Sequence, residues 1–203
     1  MLKLLVASCL LTGVFGVYTP GSPGGPWSKD ELLVVKAKLY RLYRLFLAPK
    51  AVRLGFHDCL KYTDGTGGCD GCLNWEGVDV DHNPVMMAKN MTNVDSSDNN
   101  GLGWVVRELE RVYREPSYPH LAPKLGQSLF ESGKSRADLW AYAALVGVEY
   151  GIETNNLACD NTLDERILKG SCIHDDGDAC KVNPSREFVF QYGRSDCTDH
   201  DPV

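Results

Sequence analysis

Residues 53–59 read Arg-Leu-Gly-Phe-His-Asp-Cys and carry the strongest local signal in the sequence. Arg53 and His57 are four positions apart, so on a helix their side chains project from the same face. A guanidinium and an imidazole that point into one pocket can act as a fixed cation and a proton shuttle. Such a pair is nevertheless more often a surface or ion-paired group, so the surrounding sequence has to decide between the two interpretations.

Helix signals precede this stretch. Residues 28–31 read Ser-Lys-Asp-Glu, the pattern of a capping box, and apolar residues then return to one face at the helical period as far as Phe46. This pattern predicts a helix of about 18 residues. Pro49 suits the first turn of a second helix, which we expect from Lys50 to about Leu60.

Two more helices are predicted after a glycine-rich and polar stretch. Residues 102–114 are amphipathic, and a second capping box at 135–138 opens an apolar helix over 139 to about 150. After Gly151 the chain is rich in Cys, Asp and Asn, which predicts a loop to about residue 184. No strand-like alternation is visible, so the fold class is predicted to be mostly α with long disulfide-bearing loops.

The N-terminus predicts export. Residues 1–16 combine an early lysine, a short apolar run and small residues before a cleavage point, which is typical of a signal peptide. Residues 17–27 are a predicted Gly/Pro-rich linker, and 28–203 form the predicted domain. No apolar run reaches the roughly 20 residues that a membrane span needs. The net charge of −6 gives no basic footprint for nucleic acid. We therefore expect a secreted protein with neither a membrane nor a nucleic-acid partner.

The cysteines agree with export, because disulfides persist in oxidising compartments. Seven of the eight cysteines follow the predicted signal peptide. The odd number implies that one thiol is free, pairs between chains or lacks its partner. Asn90 begins an N-glycosylation sequon, which is a short motif but also fits export.

Residues 53–59 resemble the distal helix of the plant/fungal/bacterial haem peroxidase superfamily. The resemblance continues, in order, at Gly-Cys-Asp-Gly 68–71, Asn-Asn-Gly-Leu 99–102, Ser-x-Ala-Asp-Leu 135–139 and Gly-Arg-x-Asp 193–196. This ordered set implies a haem-peroxidase-like helical domain, of which the chain carries the distal half. It also implies a b-type haem, hydrogen peroxide as oxidant and a reducing substrate that the sequence does not identify, with a role in oxidative stress.

The resemblance assigns roles to four residues. His57 would accept a proton from hydrogen peroxide and return it to the departing oxygen, which is general acid–base work. Arg53 would border the haem and stabilise the negative charge that develops as the O–O bond breaks. Asn99 would accept the Nδ1 proton of His57 and thereby fix its tautomer. Phe56 would lie over the haem, and phenylalanine at this position resembles the secreted classes of the family.

The resemblance also implies a distal calcium ion, bound by Asp58, Asp70 and the carbonyl oxygen of Gly68. Calcium takes six to eight hard oxygen ligands. The position two after Asp70, which is usually serine in the family, is Cys72 here. Because a thiolate is a soft ligand that suits calcium poorly, this departure weakens the expectation of a calcium site.

A disulfide is the alternative way to hold this loop. Cys59 could pair with Cys69 or with Cys72, and the segment between Cys59 and Cys69 is longer than in the plant enzymes. Leu73 rather than histidine follows the Cys-x-x-Cys spacing, which excludes covalent c-type haem attachment. The remaining cysteines do not have the spacing of a zinc ribbon.

The proximal iron ligand is the missing part of the resemblance. In the family a histidine several helical turns after the Gly-Arg-x-Asp element holds the iron, and Asp196 is followed by only seven residues. His200 lies among residues that do not predict a helix, so it is a poor candidate. The expectation is a haem peroxidase truncated before its proximal ligand. The rival hypothesis is a secreted, non-catalytic, disulfide-braced module that retains the distal scaffold.

Overall fold

The computed structural model describes residues 19, 21–61, 67–73, 99, 101–116, 126–160, 181–182 and 188–197. The predicted signal peptide, the glycosylation sequon and most of the predicted Cys-rich loop lie outside these residues. His82, His120, His174 and His200 also lie outside them.

The described residues contain four helices and no strand beyond isolated bridges. They are α1 (Lys29–Tyr43), α2 (Ala48–Asp58), α3 (Gly103–Arg114) and α4 (Arg136–Asp160). Helix α4 contacts the other three, and its most extensive contact is with α2. The prediction of a mostly α fold is therefore confirmed, and α2, which carries the Arg/His pair, lies directly on the central helix.

Helix α1 starts where the sequence predicts and ends earlier. The Ser28 hydroxyl accepts the Glu31 backbone N–H at 3.2 Å, while the Ser28 backbone N–H donates to the Glu31 carboxylate at 2.6 Å. This is the predicted capping box. The helix ends at Tyr43 rather than near Phe46, because Phe46 adopts a left-handed φ of 64° and the chain turns there.

Helix α2 begins at Ala48, two residues before the predicted start, and it has Pro49 in its first turn as predicted. Its close approach to α4 depends on glycine. A Cβ placed on Gly55 would lie 2.5 Å from the Cβ of Ala144. The missing side chain at Gly55 therefore sets the distance between the two helices.

Helix α4 starts at Arg136 and continues to Asp160, so the prediction of a loop immediately after Gly151 was wrong for residues 151–160. None of the described residues lies within 4 Å of the position that a Cβ would take on Gly151. A glycine on an open helix side costs only about 1 kcal/mol, which the rest of a long helix tolerates. Near the end, the Asn156 amide exchanges hydrogen bonds of 2.9 and 2.8 Å with the backbone of Val182.

The core lies between the four helices, and the described part of the Gly/Pro-rich segment packs against it. Trp27 is 7% exposed and contacts the rings of Tyr142 and Phe190 at 5.8 and 5.5 Å between centroids. The backbone N–H groups of Gly24 and Gly25 donate to the carbonyl oxygens of residues 194 and 133. The segment before α1 is thus part of the packed structure.

Two disulfides brace the described residues. Cys59 pairs with Cys69, and Cys72 pairs with Cys197 across 125 positions of sequence. The first is one of the two pairings that the sequence left open. Both bonds are compatible with the oxidising compartment that export implies.

Within the described parts of the chain, none of the helices is long and apolar enough to cross a bilayer.

Candidate functional site

The two sides of α2 differ in what covers them. Leu54, Gly55 and Asp58 are buried against the rest of the fold. On the opposite side Phe56 is 64% exposed and Leu60, just beyond the helix, is 39% exposed. The ring of Phe56 therefore presents an exposed apolar surface beside the predicted catalytic pair.

Arg53, His57 and Asn99 are brought together as the sequence predicts. The His57 Nδ1 lies 2.9 Å from the Asn99 Oδ1, and the Arg53 Nε donates to the His57 Nε2 at 3.4 Å. An amide oxygen only accepts and a guanidinium N–H only donates, so both contacts require the tautomer that carries its proton on Nδ1. The Nε2 of His57 then keeps its lone pair and faces the arginine.

A tight turn before α3 delivers the asparagine. The Leu102 backbone N–H donates to the Asn99 carbonyl oxygen at 3.1 Å, and Gly101 has a φ of 79° that favours glycine. Asn99 is 7% exposed, so its amide contacts the imidazole away from bulk water. A Cβ on Gly101 would lie 3.0 Å from the Lys50 Nζ, which brings the turn close to the start of α2.

Phe56 and His57 lie side by side on the surface. Their ring centroids are 5.8 Å apart and the rings meet edge to face. An exposed aromatic ring beside a half-buried imidazole combines an apolar contact surface with a proton carrier. This combination suits a flat apolar ligand whose reactive part reaches the imidazole.

The predicted calcium residues contact the backbone of their own loop. Asp58 is fully buried, and its Oδ1 accepts the N–H groups of Gly71 and Cys72 at 2.8 and 3.2 Å. The Asp70 Oδ1 accepts the Cys72 N–H at 3.2 Å. Gly68, the third predicted ligand, has a φ of 122° in the turn of this loop.

Among the described residues, the acidic and sulfur side chains of this loop contribute to one candidate metal-binding group. It consists of Asp70, Cys72 and Cys197. Two of its three members are joined to each other by a disulfide. A disulfide sulfur is not an oxygen ligand, so this group does not fit calcium.

The other two motifs meet at the start of α4. The Asp196 carboxylate accepts the backbone N–H groups of Arg136 and Ala137 at 3.0 and 2.8 Å. The Asp138 carboxylate accepts the backbone N–H groups of Gly193 and Arg194 at 2.8 and 3.2 Å, and an Arg194 guanidinium N–H at 3.1 Å. Each motif therefore caps the backbone of the other, and we call these contacts the α4 clasp.

The predicted capping box at 135–138 is present only in part. The Ser135 hydroxyl accepts the Asp138 N–H at 3.1 Å, but the Asp138 carboxylate turns to residues 193 and 194. Sequence reasoning missed this clasp because its partners are more than 50 positions apart. A signal was present, however, since both motifs contain an aspartate and the first turn of a helix has backbone N–H groups without an acceptor inside the helix.

A buried ion pair supports the clasp. The Arg136 guanidinium donates to the Glu110 carboxylate at 2.8 and 3.2 Å, and both side chains are 2% exposed. Burial alone would raise the pKa of Glu110, but Arg136 and Arg114 outweigh it and hold that pKa below its ordinary value. Burial raises the pKa of Asp196, and the nearby Arg136 offsets this only in part. These groups lie in the interior of the fold.

A cleft of about 370 Å³ adjoins the site at the turn between α1 and α2. Phe46, Lys50, Gly101 and Trp104 are among the residues that line it. Gly101 belongs to the turn that carries Asn99, so this turn contributes both to the lining of the cleft and to the His57–Asn99 pair.

Comparison with models of known protein families, with curated proteins and with solved structures found no match. The family resemblance therefore depends on the motifs and on the geometry described above. His57 is the only histidine among the described residues, so no axial iron ligand is assigned within them.

Proposed function

We propose that this chain carries the distal site of a secreted haem peroxidase, which reduces hydrogen peroxide while it oxidises a donor substrate. The observation that carries the proposal is the arrangement of Arg53, His57 and Asn99. Three residues from two separate motifs meet in a geometry that defines one tautomer of the histidine. An incidental surface pair would not require a third residue from a distant turn.

The open side of α2 fits the distal face of a haem. Phe56 and Leu60 offer apolar surface, and Arg53 and His57 offer polar groups beside it. A porphyrin is flat and apolar, with its reactive centre in the middle, so such a mixed surface suits it. Arg53 and Phe56 are the residues that would border the group.

His57 would act as the acid–base group. With its proton on Nδ1 held by Asn99, its Nε2 is unprotonated and could take a proton from hydrogen peroxide in place of the hydrogen bond that it accepts from Arg53. The same atom can then deliver the proton to the departing oxygen. Arg53, whose Nε already faces Nε2, would stabilise the negative charge that develops on that oxygen.

Haem, when bound, would supply the redox centre at which peroxide is reduced. Phe56 would help to exclude water from the face that it covers, which strengthens the electrostatic interactions of Arg53. None of these steps requires the predicted calcium ion, which stays a prediction.

A haem titration of the purified full chain tests the proposal. We expect a defined Soret band that changes when hydrogen peroxide is added. His57→Ala should still take up haem but should slow the peroxide response by about 10²- to 10⁴-fold, the usual contribution of an acid–base group. Arg111→Ala, which removes an exposed arginine from α3 with a single described ion-pair partner, is the matched control and should change nothing.

Loose haem uptake without any peroxide response would contradict the proposal. That result would favour the rival hypothesis of a non-catalytic, disulfide-braced module. Two disulfides and a buried ion-pair network at the base of α4 already provide the bracing that such a module needs. An equal peroxide response in the wild type and in His57→Ala would contradict the role of His57 alone.

A further inference from the structure

The loop that follows α2 is tied to the segment near residue 197 by a covalent bond and a hydrogen bond. Cys72 forms a disulfide with Cys197, and the Cys197 backbone N–H donates to the Asp70 carbonyl oxygen at 2.9 Å. Cys197 directly follows Asp196, which caps the first turn of α4. The loop is therefore anchored to the central helix of the fold.

The same loop holds the end of α2. Asp58 follows His57 in the chain, is fully buried, and accepts the N–H groups of Gly71 and Cys72. Gly71 lies so close to α4 that a Cβ on it would be 2.6 Å from the Ala137 nitrogen. A continuous set of contacts thus runs from α4 through the loop to the residue next to His57.

The family resemblance implies that calcium would hold this loop, and in the structure a disulfide and backbone hydrogen bonds also hold it. The Cys72 sulfur is bonded to Cys197, and the Asp58 and Asp70 carboxylates accept loop N–H groups. A loop whose ends are joined covalently to the fold does not need a cation to remain in place.

We propose that the Cys72–Cys197 disulfide positions His57, by fixing the loop that holds Asp58, and that this positioning does not depend on calcium. Cys72 and Cys197 are positioning residues in this proposal, since they act through Asp58 and do not touch the reacting atoms. The inference rests on the proposed function only in treating His57 as the proton carrier.

The first experiment uses the wild-type full chain labelled uniformly with ¹⁵N. The reporter is the NMR signal of the His57 Nδ1 proton, assigned by its loss in His57→Gln. We expect this signal, and the slow hydrogen exchange of the Gly71 and Cys72 amides, to be the same in excess EGTA and in added calcium chloride. A change in either one upon chelation would overturn the calcium independence.

The second experiment removes the disulfide with Cys72→Ala/Cys197→Ala. We expect the Gly71 amide to exchange at least about tenfold faster and the His57 Nδ1 proton signal to shift or broaden, because the loop can open locally. Leu39→Ala is the matched control, since it destabilises the buried core of α1 and leaves the loop untouched. Equal changes in both variants would mean that general destabilisation moves the histidine, and would overturn the positioning role.

If the double variant does not fold, exchange in the wild type decides the question. A fixed loop requires the Gly71 and Cys72 amides to exchange as slowly as the core of α2, and rapid local exchange would overturn the proposal. The peroxide response is read separately after haem titration. If the His57 signal behaves as expected but peroxide has no effect, the proposed function fails while the positioning by the disulfide stands.

Discussion

The open side of α2 and the base of α4 are built from the same kinds of residues and differ in their burial. At the base of α4, Arg136, Asp138 and Asp196 are at most 2% exposed, and all three bond to protein groups. On α2, the polar pair is half-buried beside an exposed Phe56. The Arg53–His57 pair thus lies beside a surface that is open to a ligand. The motifs at 135–139 and 193–196, by contrast, form an interior brace at the base of α4.

Removal of a disulfide should have the largest effect on the free energy of unfolding. In the loop-closure model, a bridge across 125 positions contributes about 5 kcal/mol, and one across 10 positions about 3 kcal/mol. Cys72→Ala/Cys197→Ala should therefore lower the free energy of unfolding by about 2 kcal/mol more than Cys59→Ala/Cys69→Ala. Urea unfolding curves of the two double variants measure this difference. Equal losses would show that the long-range bridge adds nothing to the brace beyond a local one.

The buried ion pair is the next largest effect. Arg136→Met should cost about 3–5 kcal/mol, because it leaves the Glu110 carboxylate buried without its main partner. Arg111→Met, in the exposed pair with Glu108, should cost less than about 1 kcal/mol. Urea unfolding at neutral pH compares the two. Similar costs would remove the distinction between a buried brace and a surface pair.

The contribution of Glu110 to the brace should weaken in acid. The pKa of Glu110 is held below its ordinary value of 4.5 in the folded state, so its contribution is present above that value and is lost as the pH falls through the lowered folded pKa. The difference in unfolding free energy between the wild type and Glu110→Gln should therefore shrink as the pH falls. Unfolding curves between about pH 3 and 7 measure it. A difference that does not vary with pH would contradict the lowered pKa.

Local signals in the sequence were enough to predict the class of fold, the start of α1, and the starts of the other three helices to within three residues. The capping box at Ser28 and the proline at Pro49 act within one turn, so their effect can be read from neighbouring residues. The ends were harder to predict. Helix α1 stops before Phe46, whose left-handed φ turns the chain, and α4 continues past Gly151, because a long helix tolerates one glycine.

The candidate site was predictable to the extent that it follows from helical spacing and from the family resemblance. Arg53 and His57 share a face because they are four positions apart, and the resemblance then indicated Asn99 as partner. The α4 clasp was missed, since Asp138 and residues 193–194 meet only in three dimensions. The Cys72–Cys197 pairing was missed for the same reason, because spacing alone does not define connectivity.

The Asn99→Ala variant tests the polar part of the open side of α2. Its expected effect on stability is smaller than that of breaking the buried ion pair. Asn99→Ala removes the acceptor of the His57 Nδ1 proton and should cost about 1 kcal/mol. It should also shift the imidazole towards the other tautomer, which ¹⁵N chemical shifts of labelled histidine report directly. Asn155→Ala, late in α4, is the control and should leave the His57 shifts unchanged. An unaltered tautomer in Asn99→Ala would show that Asn99 does not orient the ring.

Phe56→Ala should have the smallest effect on stability. It therefore tests most directly whether the open side of α2 differs from the buried base of α4. Its side chain is 64% exposed, so Phe56→Ala removes little buried surface and should change the free energy of unfolding by less than about 0.5 kcal/mol. Leu54→Ala, two positions earlier and fully buried, should cost about 2–5 kcal/mol. Urea unfolding measures the two losses of stability. Haem titration of Phe56→Ala then tests whether this side chain contributes to haem uptake. If Phe56→Ala keeps its stability but takes up haem less tightly, the open side of α2 serves a ligand. If it loses as much stability as Leu54→Ala, that side is covered by the protein itself.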